Sequence, residues 1–209
     1  MIHIVTAENR SLFRHALTEM HLQRKQMFID ELGWALRTEA GLEIDEYDSE
    51  DAIYLIEAQS SRGPITGSAR LLRTDRPHLL GDRFSHLCET APPTGPDTWE
   101  ATRFCPAPET PPGPQRRSML TRMIAAIMET ALLFGTRRVS FVASAALAPL
   151  ALKVGWNAQA LGPAHRTGRE RVRAFAADID AEGLARVRAL NAIAGPLTRY
   201  APGALIRAA

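Results

Sequence analysis

The apolar positions in the first third of the chain predict strands that are separated by one helix. Residues 2–5 (IHIV), 52–58 (AIYLIEA) and 65–73 (ITGSARLLR) are short, mostly apolar runs, typical of buried strands. Over residues 12–32 the apolar side chains instead recur at steps of three and four. This spacing predicts a helix that ends at Gly33.

The rest of the chain interleaves irregular segments with further elements. The acidic residues 34–51 and the proline-containing residues 74–98 are predicted to be irregular, and residues 106–114 (PAPETPPGP) to be a connector, because proline disrupts helices and central strands. The clearest helix covers residues 118–135, which are apolar around most of its circumference and are therefore predicted to be buried. Further strands are predicted at 99–105, 137–144, 157–162 and 170–178, and further helices at 145–156 and 181–195.

This order of elements predicts one α/β domain over residues 1–209. The chain has no internal repeat and no break in composition that would mark a second domain, and its length suits one sizeable core. Strands and helices alternate, and two of the strands are hairpin neighbours near residue 60. We therefore expect a mixed sheet that is flanked by helices.

Composition and charge narrow the function classes. The chain is 45% hydrophobic and 23% charged, and its net charge is only +2, which does not favour a nucleic-acid partner. No apolar run approaches the length of a membrane span, and the first residues lack the pattern of a signal peptide. The two cysteines, Cys88 and Cys105, form no C-x-x-C pair. We expect a cytoplasmic protein with neither membrane nor nucleic-acid partners.

Several common catalytic motifs are absent from the sequence. There is no G-x-S-x-G elbow, no phosphate-binding G-x-x-x-x-G-K-[ST] loop, no G-x-G-x-x-G loop and no H-E-x-x-H pair. The six histidines show no spacing that suits a metal site. We therefore expect no metal.

Arginine, aromatic and acidic residues are concentrated between residues 24 and 48. Arg24 and Phe28 are four apart, on one helix face, and Trp34 follows where the helix ends. Asp45 and Asp48 lie in the acidic segment that comes next. Taken singly, these residues are explained by core aromatics, a solvated arginine and a solvated acidic loop. Taken together, they suggest a pocket for a small ligand that carries both positive and negative charge.

A second candidate group lies in the stretch EATRF, residues 100–104. On a regular strand Glu100, Thr102 and Phe104 share one face and Arg103 lies on the other, unless a bulge intervenes. A pair of surface charges on an edge strand is the simpler interpretation. However, Glu100 stands in an otherwise apolar strand, where an unpaired carboxylate is costly.

In order, these motifs resemble the acyl-homoserine-lactone synthases, the autoinducer synthases of bacterial quorum sensing. The resemblance rests on R-x-x-x-F-x-x-E-x-x-W from Arg24, D-x-Y-D from Asp45, Arg70, and E-x-T-R-F from Glu100. It implies a fold similar to that of the GNAT acetyltransferases, with middle strands that splay to admit the pantetheine arm of an acyl donor. It also implies N-acylation of S-adenosylmethionine by an acyl thioester, then lactone closure that releases methylthioadenosine.

The resemblance also implies roles for individual residues. Glu100 is expected to be the general base, with Arg103 beside it, and backbone N–H groups near Phe104 and Cys105 to stabilise the oxyanion. The residues expected to bind S-adenosylmethionine are Arg24, Phe28, Trp34, Asp45, Asp48, Arg70 and Phe104. The residues expected to line the acyl pocket, which core packing would explain equally well, are Met123, Ile127, Phe141, Ala143, Leu147 and Leu150. No cofactor is expected, because S-adenosylmethionine and the acyl thioester are both substrates.

Three arginines near the start of the long helix, Arg116, Arg117 and Arg122, have two interpretations. They are either a solvated helix end or a docking site for acyl carrier protein or for the phosphates of a coenzyme A thioester. Two other functions remain open at this point. One is a GNAT-type acyltransferase that uses acyl-CoA on another amine, and the other is a non-catalytic module that binds a carrier protein or an acidic partner.

Overall fold

Strands and helices alternate through the computed structural model, which describes residues 1–168 and 170–201. The strands are β1 Ile2–Val5, β2 Thr38–Glu39, β3 Leu42–Glu43, β4 Ile53–Ala58, β5 Ile65–Arg73, β6 Thr98–Pro106, β7 Arg138–Ser144, β8 Asn157–Ala160, β9 His165–Thr167, β10 Glu170–Asp178 and β11 Thr198–Tyr200. The α-helices are α1 Arg14–Arg24, α2 Leu79–Arg83, α3 Pro114–Leu133, α4 Ala148–Leu152 and α5 Ala181–Leu190. Short 3₁₀ segments cover Arg10–Phe13 and Ser85–Leu87, and α1 continues as a π-helix over Lys25–Glu31.

Nine of the described strands form one mixed sheet. Its order is β11-β1-β4-β5-β6-β7-β10-β8, and β9 pairs with β10. The β1–β11 and β6–β7 pairs are parallel, and the other pairs are antiparallel. No described helix is both long enough and apolar enough to span a membrane.

Helices cover both faces of this sheet. On β4, Leu55 packs into the core that α3 and α5 complete, whereas Tyr54 and Ile56 pack into the core that α1 completes. On β7, Phe141 belongs to the α3 core, whereas its neighbour Val142 packs with α2. Neighbouring residues of a strand point to opposite faces of the sheet. Helices α1 and α2 therefore cover one face, called the α1 face below, and helices α3, α4 and α5 cover the other, called the α3 face. The predicted mixed sheet flanked by helices is therefore confirmed.

Four predicted segments differ from the structure. Residues 34–51 contain the β2–β3 hairpin rather than only loop, and residues 74–98 contain α2 and the second 3₁₀ segment. The helices predicted at 145–156 and 181–195 are shorter, because they end at Leu152 and Leu190. The short strands β9 and β11 were not predicted, since each has only three residues and is at most half-buried.

A gap opens between two neighbouring strands in the middle of the sheet. The parallel pairing of β6 with β7 runs from Thr98 and Arg138 to Ala101 and Phe141. Beyond these positions the two described strands continue without pairing to each other. The sheet is therefore open at its centre, as the expected splay requires, and the candidate site lies there.

Candidate active site

A cavity of about 1880 Å³ occupies the gap between β6 and β7. Its wall combines polar side chains on the α1 face, such as Asp45, Glu100 and Arg103, with apolar side chains on the α3 face, such as Ile127 and Phe141. The volume exceeds that of an ordinary small-molecule pocket. The cavity can therefore hold two ligands, or one long ligand, that reach both faces of the sheet.

A β-bulge places the Arg103 side chain on the polar side of this cavity. The register of β5 with β6 shifts between Ser68 and Arg70, where Arg103 and Phe104 together lie opposite one residue of β5. Arg103 has a φ of +52°, in the left-handed region that a residue with a Cβ seldom adopts. The bulge cancels the expected alternation, so Arg103 joins Glu100 on the α1 face while Phe104 packs against the α3 core.

Arg24 and Asp48 form the buried base of an ion-pair network. Arg24 Nη1 and Nη2 donate to the two carboxylate oxygens of Asp48 at 2.8 and 2.9 Å, and the same guanidinium pairs with Glu43. The hydroxyl of Tyr54 donates to Asp48 at 2.9 Å. Arg24 and Asp48 do not line the cavity, and their side chains are only 1% and 2% exposed. Arg24 and Asp48 therefore support the network from the side that is away from the cavity.

Arg70 and Arg103 connect this base to the cavity. Arg70 Nη1 and Nη2 donate to Asp45 at 2.5 and 3.0 Å, and Arg70 Nε donates to the Thr102 hydroxyl at 3.0 Å. Arg103 Nη2 donates to Asp45 at 2.7 Å and to Glu43 at 2.9 Å. Asp45, Arg103 and Glu43 line the cavity, whereas Arg70 is fully buried behind them.

The network is electrically balanced, with three guanidinium groups for three carboxylates. Burial alone would raise the pKa of Asp48, but the hydrogen bonds and charges of Arg24 and Arg70 outweigh burial and hold that pKa well below its usual range. Burial likewise opposes the charge of Arg70, and its bonds to Asp45 and Asp48 raise its pKa in spite of burial. Both groups are therefore ionised at neutral pH.

The two predicted aromatic residues lie against each other at the cavity wall. The rings of Phe28 and Trp34 stack with centroids 4.9 Å apart and planes 9° apart. The guanidinium carbon of Arg103 lies 5.7 Å from the Phe28 centroid. Trp34 is 38% exposed, so it remains accessible to a ligand.

Glu100 is the one carboxylate of this wall that is buried without an arginine partner among the described residues. Its Oε1 accepts a hydrogen bond from the backbone N–H of Leu80 at 2.9 Å, whereas its Oε2 has no partner. Burial raises the pKa of Glu100 to about 7, and the Leu80 N–H and the charge of Arg70 only partly oppose this. A carboxyl group with such a pKa can accept and return protons at neutral pH.

The apolar part of the wall contains five of the six side chains predicted for it. Ile127, Phe141, Ala143, Leu147 and Leu150 line the cavity. Met123 does not, because its side chain is fully buried in the α3 core. Four further side chains of this wall were not predicted, namely Leu120, Ile124, Ala151 and Trp156.

The three arginines near the start of α3 lie in two different places. Arg116 and Arg117 line the cavity where α3 begins, and Arg116 Nε donates to the backbone oxygen of Thr110 at 2.7 Å. Arg122 lies outside the cavity wall, because its Nε and Nη2 donate to Glu57 at 2.6 and 3.0 Å. Two of the three arginines predicted to dock the acyl donor therefore line the cavity.

Sequence reasoning missed two features of the site. Glu43 was seen only as part of an acidic run, although it bridges Arg24 and Arg103. The Leu80 N–H that holds Glu100 belongs to α2, a helix that was not predicted. A glutamate two residues before Asp45 was a usable signal for the first feature. Among the described residues, no group of three or more His, Cys, Asp or Glu is arranged to hold a metal ion.

Comparison with known proteins yields one family model and a consistent set of relatives. The family described as autoinducer synthase matches residues 8–187. A curated relative, the acyl-homoserine-lactone synthase of Ralstonia solanacearum, is 35% identical over 178 residues, which cover 83% of this chain and 87% of the relative.

Solved structures share the whole architecture. The CoA-dependent acyl-homoserine lactone synthase BjaI, solved with SAM and isopentyl-CoA, gives a TM-score of 0.86 at 26% identity and covers 99% of this chain and 97% of its own. BjaI is also known with MTA. A Lactobacillus plantarum protein assigned as an N-acetyltransferase gives a TM-score of 0.56 at 13% identity and covers 86% of this chain and 99% of its own. This last similarity concerns the fold alone, and it agrees with the expected GNAT-like architecture.

Proposed function

The chain belongs to the autoinducer synthase family, and on that premise we propose that it is an acyl-homoserine-lactone synthase. It transfers an acyl group from a thioester to the amine of S-adenosylmethionine and then closes the lactone. The observation that carries this proposal is the buried carboxyl group of Glu100, which has no arginine partner among the described residues and stands between the balanced ion network and the apolar part of one cavity. We further propose that residues 1–209 act as one domain.

The ion network suits the amino-acid end of S-adenosylmethionine, which carries an ammonium, a carboxylate and a nearby sulfonium. Arg103 lines the cavity and can pair with the substrate carboxylate, and Asp45 lies beside it to attract the positive groups. Arg24, Asp48 and Arg70 are buried behind these two residues, so we assign them to positioning rather than to substrate contact.

The aromatic pair suits the sulfonium and the adenosyl group. Trp34 is partly exposed at the cavity wall, and its stack on Phe28 fixes the ring plane. A cation over such a ring gains about 0.5–2 kcal/mol. We propose that Trp34 and Phe28 form the wall against which this end of the substrate lies.

Glu100 starts the acyl transfer by accepting a proton from the ammonium, directly or through a water. The free amine then attacks the thioester carbonyl, so that a C–N bond forms and the C–S bond breaks. Of the three ammonium protons, one stays on the amide, one ends on the leaving thiol and one passes to water. Beyond Ala101, no described strand pairs with the β6 edge that faces away from β5, so backbone N–H groups near Phe104 can stabilise the oxyanion.

Lactone closure needs no further reactant. The carboxylate oxygen of the acylated product attacks the carbon next to the sulfonium, and a C–O bond forms as the C–S bond breaks. The electron pair goes to sulfur, and methylthioadenosine leaves uncharged. Arg103 can hold the carboxylate in place for this attack, because it lies in the cavity wall within the same network.

The acyl donor enters from the α3 side in this proposal. Arg116 and Arg117 line the cavity at the start of α3, where they can attract the phosphates of coenzyme A or of carrier-bound phosphopantetheine. The apolar wall then receives the acyl chain. No cofactor takes part in either step, and we place the reaction in the cytoplasm, where both substrates are made.

The direct test is to incubate the purified protein with S-adenosylmethionine and acyl thioesters on coenzyme A and on acyl carrier protein. We expect an acyl-homoserine lactone and methylthioadenosine in equal amounts by mass spectrometry. Acylation of another amine without S-adenosylmethionine would support a general acyltransferase instead. The absence of both products, with tight binding of carrier protein, would support the non-catalytic alternative.

Substitution of Glu43 tests whether the network positions Arg103. Glu43→Gln keeps the shape of the side chain but removes the charge that holds Arg103 at 2.9 Å. We expect the KM for S-adenosylmethionine to rise about tenfold, the size of a lost charge-assisted hydrogen bond, while the KM for the acyl thioester stays unchanged.

Glu57→Gln is the matched control for this experiment. Glu57 is also a buried glutamate paired with an arginine, Arg122, but it lies outside the cavity. We expect its KM for S-adenosylmethionine to remain within twofold of the wild type. Equal KM values for wild type and a folded Glu43→Gln variant would contradict the positioning role.

A further inference from the structure

The helix α2 carries a backbone N–H that holds Glu100. The Leu80 N–H donates to Glu100 Oε1 at 2.9 Å, and it belongs to the first turn of α2, where backbone N–H groups have no partner within the helix. The residue before the helix, His78, makes no capping hydrogen bond with its side chain. Glu100 takes the place of a capping residue, so the position of its carboxyl group depends on the position of α2.

This helix is too short to fix its own orientation. With the five residues Leu79–Arg83 it makes little more than one turn, which is not stable without tertiary contacts. Its buried side chain, Leu80, packs with Leu87 and Ala174. Apolar contact of this kind is not directional, so it holds α2 against the sheet without fixing the direction of the helix axis. A directional contact is needed to aim the Leu80 N–H at Glu100.

Tyr47 and Asp82 supply that contact. The Tyr47 hydroxyl donates to Asp82 Oδ2 at 3.1 Å. Tyr47 is buried, its backbone N–H donates to Asp45 Oδ1 at 2.9 Å, and the guanidinium carbon of Arg70 lies 5.8 Å from the centre of its ring. Burial and the bond to Asp82 raise the pKa of Tyr47 to about 12, so its hydroxyl is a donor throughout the pH range of enzyme assays.

We infer that Tyr47 and Asp82 are positioning residues for the proposed acyl transfer, because they join α2 to the loop that carries the cavity-lining Asp45. This contact holds the base, Glu100, in line with the amine of S-adenosylmethionine, which the same loop binds in the proposed function. The inference therefore rests on that function. Tyr47 lines the cavity but Asp82 does not, so a change at Asp82 does not remove a contact to the substrate.

A second contact between the same two segments is weaker. Arg83 Nη2 donates to Glu46 Oε1 at 2.8 Å, but these side chains are 64% and 53% exposed. An ion pair so exposed to solvent contributes little to a fixed geometry. The bond between Tyr47 and Asp82 is partly buried, so it is the stronger of the two constraints.

Asp82→Ala removes the acceptor on α2 and tests the inference. Burial raises the pKa of Glu100, and the Leu80 N–H is the strongest of the groups that oppose this rise. When α2 is no longer held, we expect kcat to fall about fivefold and the midpoint of the pH–rate profile to move up by about half a pH unit. The KM for the acyl thioester should not change. The charges of Arg70 and Arg103, which also act on Glu100, are the same in both proteins.

Three further variants separate positioning from a general loss of structure. Asp82→Asn keeps an oxygen that can accept from Tyr47, so it should recover most of the activity that Asp82→Ala loses. Tyr47→Phe removes the same bond from the other side, so the double variant Tyr47→Phe/Asp82→Ala should lose no more than either single variant. Tyr200→Phe is the matched control, because the Tyr200 hydroxyl also donates to a carboxylate, that of Glu8 at 2.9 Å, but lies outside the cavity. Its kcat should stay within twofold of the wild type.

Several outcomes would overturn the inference. An unchanged pH midpoint in folded Asp82→Ala and Tyr47→Phe variants would do so even if kcat falls, because a general loss of structure does not change the pKa of the base. An asparagine variant as defective as the alanine variant would also overturn it. If Asp82→Ala does not fold, Tyr47→Phe, which keeps the buried ring, gives the same measurement. No lactone from the wild type would instead overturn the proposed function.

Discussion

Glu100→Gln should lower kcat by about 10²–10⁴-fold, the usual contribution of a positioned general base. The glutamine oxygen can still accept the hydrogen bond that Leu80 N–H gives to Glu100 at 2.9 Å, so the fold is kept. What is lost is the second carboxylate oxygen, which is buried and has no hydrogen-bond partner among the described residues. Single-turnover kinetics with saturating S-adenosylmethionine and acyl thioester measures this loss in the chemical step.

The pH dependence of the wild type gives an independent reading of the same group. Burial raises the pKa of Glu100 to about 7, and the base must be deprotonated to act. We expect the rate to fall about tenfold for each pH unit below 7 and to level off above it. The residual activity of a folded Glu100→Gln variant should not show this fall in rate below pH 7.

The contribution of Glu100 to stability falls as pH rises, whereas the rate is expected to rise. The folded pKa of Glu100 lies above that of an exposed glutamate, so the stability contributed by its protonated form is complete below about pH 4.5 and is lost as pH rises through about 7. Glutamine stays neutral throughout. The free energy of unfolding of Glu100→Gln relative to wild type should therefore increase from pH 5 to pH 8.

These measurements can contradict the assignment in two ways. Full activity in a folded Glu100→Gln variant would exclude Glu100 as the base. A comparable loss of activity in Glu57→Gln, a buried variant outside the cavity, would show that any buried charge change lowers the rate.

The strands and the long helix could be predicted because their apolar side chains carry the pattern. The strand predicted at residues 65–73 coincides with β5, and the helix predicted at 118–135 overlaps most of α3. Both elements contribute many side chains to the buried core, and burial imposes the period that the sequence displays. The order of the candidate motifs was also available, because it is a property of the sequence and not of the folded structure.

Three local features could not be predicted, two because they are exceptions to residue preference and one because the element is too short. The β2–β3 turn uses Ala40 and Gly41, both with positive φ, where an Asn-Gly pair would have been a recognisable signal. The bulge at Arg103 places an arginine where glycine is usual. The helix α2 has five residues, too few to show a period. Each of these features brings a polar group to the cavity.

Which charged residues line the cavity and which are buried behind them also depends on the folded structure. The sequence predicted one set of ligands for S-adenosylmethionine, but burial separates that set into two layers. Asp45 and Arg103 line the cavity, whereas Arg24, Asp48 and Arg70 lie behind them. Since the ion pairs of the network join residues that are 19 to 60 positions apart, sequence spacing cannot reveal which member faces the ligand.

Asp48→Asn should lower the free energy of unfolding by about 3–5 kcal/mol, because it leaves buried charge without compensation. Asp48 pairs with Arg24 and with Arg70 at 2.8 Å in each case, and the side chains of all three residues are at most 2% exposed. An asparagine cannot offset either guanidinium. Urea denaturation at pH 7 measures the change in the free energy of unfolding. An unchanged m-value would show that Asp48→Asn and the wild type expose the same surface on unfolding.

An exposed ion pair is the control for this prediction. Asp178 pairs with Arg138 at 2.9 Å, but both side chains are about half exposed, at 49% and 50%. Asp178→Asn should therefore change the free energy of unfolding by less than about 1 kcal/mol.

The pKa of Asp48 is held low, so its carboxylate stays ionised from pH 8 to pH 5 and the large loss in Asp48→Asn should persist over that range. A loss as small as that of the control would mean that the network contributes little to folding, and that its buried layer serves only to orient Arg103 and Asp45.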